Sequence, residues 1–289
     1  MVKKTVAVLV TVYNRKDVTI KGLSSLYNAM RFVEDNYTFD IYMVDDGCID
    51  GTSEAVREQF PDVHIVKGNG SLYWSGGMRK AWNVAYKTKD YNYYLWLNDD
   101  AELYENALCL MFEPIKMNGD NKIVSGAFCD DNGMVSYGGR DKNNVYLFPQ
   151  KNFQKIYYMN GNLVLIPKYI FNQVGNISSC YRHSFGDWDY GIRSIRKGFD
   201  ILLTSNYVGK TNRHDVSITS YLVEKKLKSR FKKLYSPLYA FNDMFYFNKM
   251  NRGILRAILC YCATLIYAVY PKIYKLTLSL IHISEPTRP

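Results

Sequence analysis

Tyr93-Tyr94-Leu95-Trp96-Leu97 is an unbroken apolar and aromatic run that stops abruptly at Asn98-Asp99-Asp100. A short run of this kind, without period-two alternation, predicts a strand buried on both faces with a polar loop at its carboxyl end. The same pattern recurs three times upstream: residues 6–12 end at Tyr13-Asn14-Arg15, residues 41–44 at Asp45-Asp46-Gly47, and residues 63–66 at Lys67-Gly68-Asn69-Gly70. Between them Leu23, Leu26, Tyr27 and Met30 recur at helical spacing, and helices are expected near 53–60 and 77–86. Buried strands alternating with helices predict a Rossmann-like α/β arrangement of parallel βαβ units, whose ligands sit at the carboxyl ends of the strands. The polar stops of the four strands would therefore converge on one edge.

Downstream of Glu105 the order is less regular. A helix to about Met117, strands near 122–128 and 162–166 and a helix over 167–174 give a mixed α+β half. The expected organisation is a ligand-binding Rossmann-like half over 1–104, a mixed half of the same domain over 105–220, and a basic, aromatic helical appendage over 221–277. Residues 278–289 resemble the translated read-through of a sequencing adapter and are set aside from the fold.

The chain of 289 residues carries a formal charge of +10, which points to an anionic partner. The excess is local: Glu224 is followed by Lys225, Lys226, Lys228, Arg230, Lys232 and Lys233. No nucleic-acid-binding signature accompanies this run, so an anionic membrane surface is the expected partner and nucleic acid is not. The apolar stretch over 257–270 falls short of the ~18–20 residues that cross a bilayer, which predicts an interfacial or buried helix rather than a span. Six cysteines without C-x-x-C spacing, and no signal-peptide core near the first residues, lead to the expectation of a cytoplasmic protein, peripheral at the inner face of the plasma membrane.

Two constellations carry chemistry. Asn98-Asp99-Asp100 sets paired carboxylates at a strand end, where a hard cation such as Mn²⁺ or Mg²⁺ finds oxygen ligands and shares the rest with phosphate and water; helix capping is the alternative role. Gly186-Asp187-Trp188-Asp189 opens an amphipathic helix, and a carboxylate beside Trp188 is a candidate proton acceptor, with an N-cap as the alternative.

Taken together, Val10-Thr11-Val12-Tyr13-Asn14-Arg15, Val44-Asp45-Asp46-Gly47, Asn98-Asp99-Asp100 and Phe185-Gly186-Asp187-Trp188-Asp189 resemble the motifs of family-2 glycosyltransferases in order and spacing. The stretch from Gly70 to Arg79 looks closest to the rhamnosyltransferase-like branch of bacterial surface-polysaccharide assembly. The resemblance implies a GT-A fold and inverting, metal-dependent transfer of a hexose from a nucleotide sugar, dTDP-rhamnose or a UDP-sugar, to a saccharide or lipid-linked saccharide. It implies that Thr11, Tyr13 and Asp46 line the nucleobase, Asp99 faces the ribose, Asp100 and His214 hold the metal, and Arg79 faces phosphate. Asn14, Arg15, Asp45, Asn69, Gly76, Gly77 and Asn98 complete the implied donor set, Asp187 is the implied general base, and Trp188 and Asp189 are the implied acceptor contacts.

Two positions depart from the family's pattern: Asn98 stands where an Asp is common, and Gly186 where a Glu is common. Losing one acid weakens the electrostatics of a metal site. No Gln-x-x-Arg-Trp motif is present, which argues against a processive synthase. A sugar nucleotidyltransferase would carry a glycine-rich phosphate loop after its first strand, and residues 11–15 contain no glycine. A binding module without activity is the remaining alternative, and only the charge supports it.

Overall fold

The computed structural model describes residues 2–211, 222, 224 and 226–274; His214 of the expected metal site, Lys225 of the basic run and residues 278–289 lie outside them. The chain divides into two units, one within Met1–Arg182 and Gly186–His214, the other within His183–Phe185 and Asp215–Pro289.

In the first unit the elements run β1 (Lys4–Val12), α1 (Lys16–Arg31), β2 (Tyr37–Asp45), α2 (Thr52–Gln59), β3 (His64–Lys67), α3 (Tyr73–Thr88), β4 (Tyr93–Leu97), β5 (Glu102–Leu103) and α4 (Ala107–Asn118). There follow β6 (Lys122–Cys129), β7 (Val135–Tyr137), β8 (Gly139–Arg140), β9 (Tyr146–Leu147), β10 (Gln154–Lys155), β11 (Tyr158–Met159), β12 (Leu163–Pro167), α5 (Lys168–Val174), α6 (Gly186–Arg196) and β13 (Asp200–Lys210). The main sheet has the order β10-β13-β6-β12-β4-β1-β2-β3, and β8, β9 and β11 form a small second sheet.

The four expected strands pair in parallel, with Val8 opposite Ile41 and Leu95, and Tyr42 opposite His64. Their carboxyl ends therefore share one edge. The sheet then reverses: β12 runs antiparallel to β4, with Leu163 opposite Leu97. The strands on either side of Glu105 thus belong to one continuous sheet, and the residues just before β12 lie beside those just after β4.

Strand alternation explains why both faces are apolar. Val6, Val8, Val10, Leu95 and Leu97 face a core with Leu23 and Leu26 of α1 and Met111 and Phe112 of α4. Ala7, Leu9, Tyr94, Trp96, Val164 and Ile166 face the other, with Met78, Ala81 and Trp82 of α3 and Tyr190 of α6. The ring of Tyr190 lies 5.4 Å from that of Trp82 and 5.3 Å from that of Trp96, which anchors α6 to the sheet.

The helix expected near 77–86 begins earlier, at Tyr73, so Gly76 joins Gly77 within α3. Gly77 has a packing role: a Cβ there would lie 2.0 Å from Thr11 Oγ1 and 2.7 Å from Thr11 Cβ. Side-chain rotation cannot relieve the second contact. Gly77→Ala is therefore expected to destabilise by about 1–3 kcal/mol, despite alanine's better helix propensity, and a lower urea midpoint at unchanged slope would show it.

The second unit holds α7 (Leu227–Leu234), α8 (Phe241–Arg252) and α9 (Ile254–Val269). Leu234, Phe241 and Ala268 form its small core, and Phe241 stacks on Tyr261 at 4.2 Å. Along α9, Ile254, Leu255, Ile258, Leu259 and Ile266 are exposed at helical spacing. Of the basic run, Arg230 donates to the carbonyls of Glu224 and Val269, and Lys233 pairs with Glu224 at 3.2 Å, whereas Lys226, Lys228 and Lys232 are exposed. No helix among the described residues is long and apolar enough to cross a membrane.

Candidate active site

The sheet edge collects the expected donor residues, but they do different work there. Tyr13 is exposed at the end of β1, whereas the Thr11 side chain is turned toward Gly77 of α3. Asn14 adopts a positive φ of 49°; its side-chain oxygen accepts from Ile49 N–H at 2.8 Å and its own N–H donates to Cys48 Sγ at 3.2 Å, tying two strand-end loops together. Asp45 accepts from the backbone of Gly47 and Cys48 and from Ser53 Oγ. Burial opposes its charge, yet these donors hold its carboxyl below the usual range.

Asp46, for which the resemblance implies a place at the nucleobase, organises the loop after β3. Its oxygens accept from the backbone N–H groups of Asn69, Gly70, Leu72 and Tyr73 at 2.8–3.2 Å. A carboxylate offers about four acceptor positions, and these are filled by backbone. Asn69 accepts from Ser71 N–H and Oγ and shapes the same loop. Arg79, expected on phosphate, donates through Nη1 to the carbonyls of Ser178 at 3.0 Å and Tyr181 at 3.3 Å, and holds the segment that precedes α6.

Asn98 is likewise engaged: its Oδ1 accepts from Trp74 Nε1 at 2.6 Å and its amide donates to Asn162 Oδ1. Its oxygen is thus turned to an indole rather than offered to a cation. Asp99 and Asp100 do point together, and one guanidinium spans them: Arg15 Nη1 lies 3.0 Å from Asp99 and Nη2 lies 2.9 Å from Asp100. Burial pushes Asp99 up to about 7, against the pull of Arg15. Close packing sets this geometry, because a Cβ on Gly22 of α1 would meet the Asp99 carbonyl at 2.5 Å. A cavity of about 350 Å³ opens beside Arg15, Gly22 and Asp100, with Lys21, Lys210, Glu102 and Asp131 on its wall.

Asp187 is tied to the same edge through Gly161. Its Oδ2 accepts from Gly161 N–H at 3.0 Å and its Oδ1 from Trp188 N–H at 2.8 Å, so the carboxylate is held in a fixed orientation. Burial pushes its pKa up to about 6. Trp188 packs on Tyr158 of β11 at 4.5 Å, and the guanidinium of Arg140 of β8 lies over the ring of Tyr146 at 3.7 Å and over that of Trp188 at 5.8 Å. Asp189, for which the resemblance implies an acceptor contact, turns inward. Only 3% exposed, it accepts from Arg193 Nε at 2.7 Å and from Tyr181 Oη at 3.1 Å.

Gly161 and Asn162, absent from the expected site, join its two ends: one donates to Asp187, the other receives Asn98. The signal that marks them is the polar triplet Asn160-Gly161-Asn162 at a strand start, whereas a ligand edge is expected at strand ends.

A divalent cation was expected on Asp100 and His214; among the described residues no group of three or more His, Cys, Asp or Glu side chains converges. The donor set at Asp99 and Asp100 is nevertheless compatible with a hard cation, which takes few protein carboxylates when phosphate and water complete its shell.

The profile described as Glycosyl transferase family 2 matches residues 7–182, and the chain belongs to that family. The match ends before Asp187. No curated protein shows significant sequence similarity to the chain. Among solved structures, a mannosyltransferase from Pyrobaculum calidifontis in complex with GDP-Man and Mn²⁺ superposes with a TM-score of 0.57 at 14% identity, covering 96% of this chain and 81% of that one. GalNAc-T7 with UDP, GalNAc and Mn²⁺ superposes at 0.55 and 12% identity over 87% of this chain. That match spans 51% of the GalNAc-T7 chain. These likenesses show the fold, an α/β GT-A arrangement with a mainly parallel sheet flanked by helices.

Proposed function

We propose that this glycosyltransferase moves a sugar from a nucleotide-diphosphate donor to a hydroxyl of a saccharide or lipid-linked saccharide, with inversion, in bacterial surface-polysaccharide assembly. The observation that carries the reading is the contrast between two carboxylates two residues apart. Asp189 is bound to Arg193 and Tyr181, whereas Asp187 is oriented by two backbone N–H groups and has its pKa raised toward neutrality. That is the state a general base needs.

Asp187 takes the proton from the acceptor hydroxyl as its oxygen forms a bond to the anomeric carbon. The bond from that carbon to the diphosphate breaks on the opposite face, and nucleoside diphosphate leaves with the electron pair. The indole of Trp188 beside Tyr158 offers the acceptor ring an apolar face. Asp100, with Asp99 beside it, would hold Mn²⁺ or Mg²⁺, whose Lewis acidity would stabilise charge on the leaving diphosphate. The neighbours' bound nucleotides and Mn²⁺ support this reading, and the resemblance of residues 70–79 supports dTDP-rhamnose as the donor.

Thermal scans with dTDP-rhamnose, UDP-sugars and GDP-mannose, each with and without Mn²⁺, test the donor, since a ligand that binds only the native state raises its stability. Asp100→Ala is expected to remove the Mn²⁺-dependent part of that shift. NMR of the product reports the anomer. Retained configuration would overturn the inverting mechanism, and release of pyrophosphate would identify a nucleotidyltransferase.

The exposed apolar face of α9 and the exposed Lys226, Lys228 and Lys232 support attachment to anionic membrane at the cytoplasmic face, where a lipid-linked acceptor would be met. Each basic residue near such a surface contributes about 1 kcal/mol, screened by salt. Co-sedimentation with anionic liposomes is expected to fall steeply when the three lysines become glutamine. Equal sedimentation with neutral liposomes at high salt would remove the electrostatic part.

A further inference from the structure

Two adjacent carboxylates at a strand end repel each other, and here both are largely shielded from water: the side chains of Asp99 and Asp100 are 8% and 16% exposed. A cation beside them favours their charged forms. In this structure it is Arg15, at the N-cap position of α1, whose two terminal nitrogens each take a different carboxylate. The planar guanidinium suits this bridge, since its fork presents parallel donors that a lysine ammonium does not. The bridge sits where a divalent cation would act. Arg15 and that cation therefore compete for the same charge, but Arg15 has a second partner of equal chemistry in a diphosphate, and the cavity of about 350 Å³ beside it leaves room for one.

We propose that Arg15 is an internal counter-ion of the Asp99–Asp100 pair that yields to divalent metal when a nucleoside diphosphate arrives to receive its guanidinium. The proposal rests on the donor reading above and deepens it, by making Arg15 a positioning residue that couples metal and nucleotide. Metal alone must displace two charge-assisted hydrogen bonds, and so binds weakly. Metal with diphosphate releases Arg15 onto phosphate oxygens, and each ligand then strengthens the other by the same factor, as linkage requires.

Mn²⁺ uptake, read from loss of the free-ion EPR signal, tests this without turnover. Wild type is expected to bind Mn²⁺ weakly alone and more tightly with UDP, GDP or dTDP, whichever nucleotide binds. Arg15→Gln is expected to bind Mn²⁺ alone about tenfold more tightly, within the usual range of such couplings, while its nucleotide affinity at saturating Mn²⁺ falls by a similar factor. Arg15→Lys, one charge without the fork, is expected to lie between; if Arg15→Gln does not fold, Arg15→Lys decides alone. Arg57→Gln, which removes an exposed pair with Glu54 on α2 and is not part of the cavity wall, is expected to match wild type on both readouts. Mn²⁺-only binding that is unchanged or weaker in the Arg15 variants would overturn the counter-ion role. No Mn²⁺ uptake by any of these proteins, even with nucleotide, would instead overturn the metal reading and the proposal with it.

Discussion

Asp187→Asn is expected to lower kcat by about 10²–10⁴-fold with little change in donor affinity, the range that general-base catalysis contributes. The substitution preserves shape and an acceptor oxygen for Gly161 N–H or Trp188 N–H, so the fold should survive. It removes the basic charge. A raised pKa makes a second signature: in wild type, kcat/KM should climb with pH through about 6, where the carboxyl loses its proton. Stability should run the other way. With a folded-state value near 6 against an ordinary 3.8, the native chain holds the proton more tightly, so this group's contribution to stability declines as pH rises between those values. Near-normal kcat in Asp187→Asn, measured with an active acceptor, would transfer the role of base to another group.

The complementary expectation is that Asp189→Ala unfolds the protein more readily. Its carboxylate is 3% exposed, and removing it strands Arg193 and the Tyr181 hydroxyl. Breaking a buried pair typically costs about 3–5 kcal/mol. Arg193 keeps its bonds to the carbonyls of Val174 at 2.9 Å and Asn176 at 3.1 Å, which places the loss near the lower bound, about 3 kcal/mol. A melting temperature lower by roughly 6–12 °C would show it. The two substitutions thus separate by readout: one lowers rate without lowering stability, the other lowers stability first. An Asp189→Ala protein that melts like wild type but turns over slowly would reverse the assignment.

What the sequence reveals of this arrangement depends on what each pattern can encode. Residues 6–10, 41–44 and 93–97 are apolar on consecutive positions, and both faces of their strands are covered by helices, so the parallel order could be read directly. The helix that carries Asp187 was legible from its glycine and acidic start and its basic end. Sheet order beyond β4 was not, because nothing in residues 162–166 states which strand they join or in which direction. Gly161 and Asn162 escape notice for that reason. Asp46 and Arg79 show a different limit: a motif places a polar side chain at the edge but does not say whether its partner is ligand or backbone. The strands β8, β9 and β11, two residues each, are too short to show any period, so Tyr158 and Arg140 beside Trp188 gave no signal.

The antiparallel return of β12 has a consequence during synthesis. Asn98 and Asn162, which lock the two ends of the edge together, are separated by 162 − 98 = 64 positions. At ~5–20 residues per second, β4 leaves the ribosome about 3–13 s before its partner. Over that interval the flank of β4 that Leu163–Pro167 will occupy offers unpaired backbone beside Tyr94 and Trp96, the kind of strand edge that recruits other chains. The link between the two asparagines is therefore also the last closure of a vulnerable nascent edge, and its hazard lies in the seconds before the chain has any activity to lose.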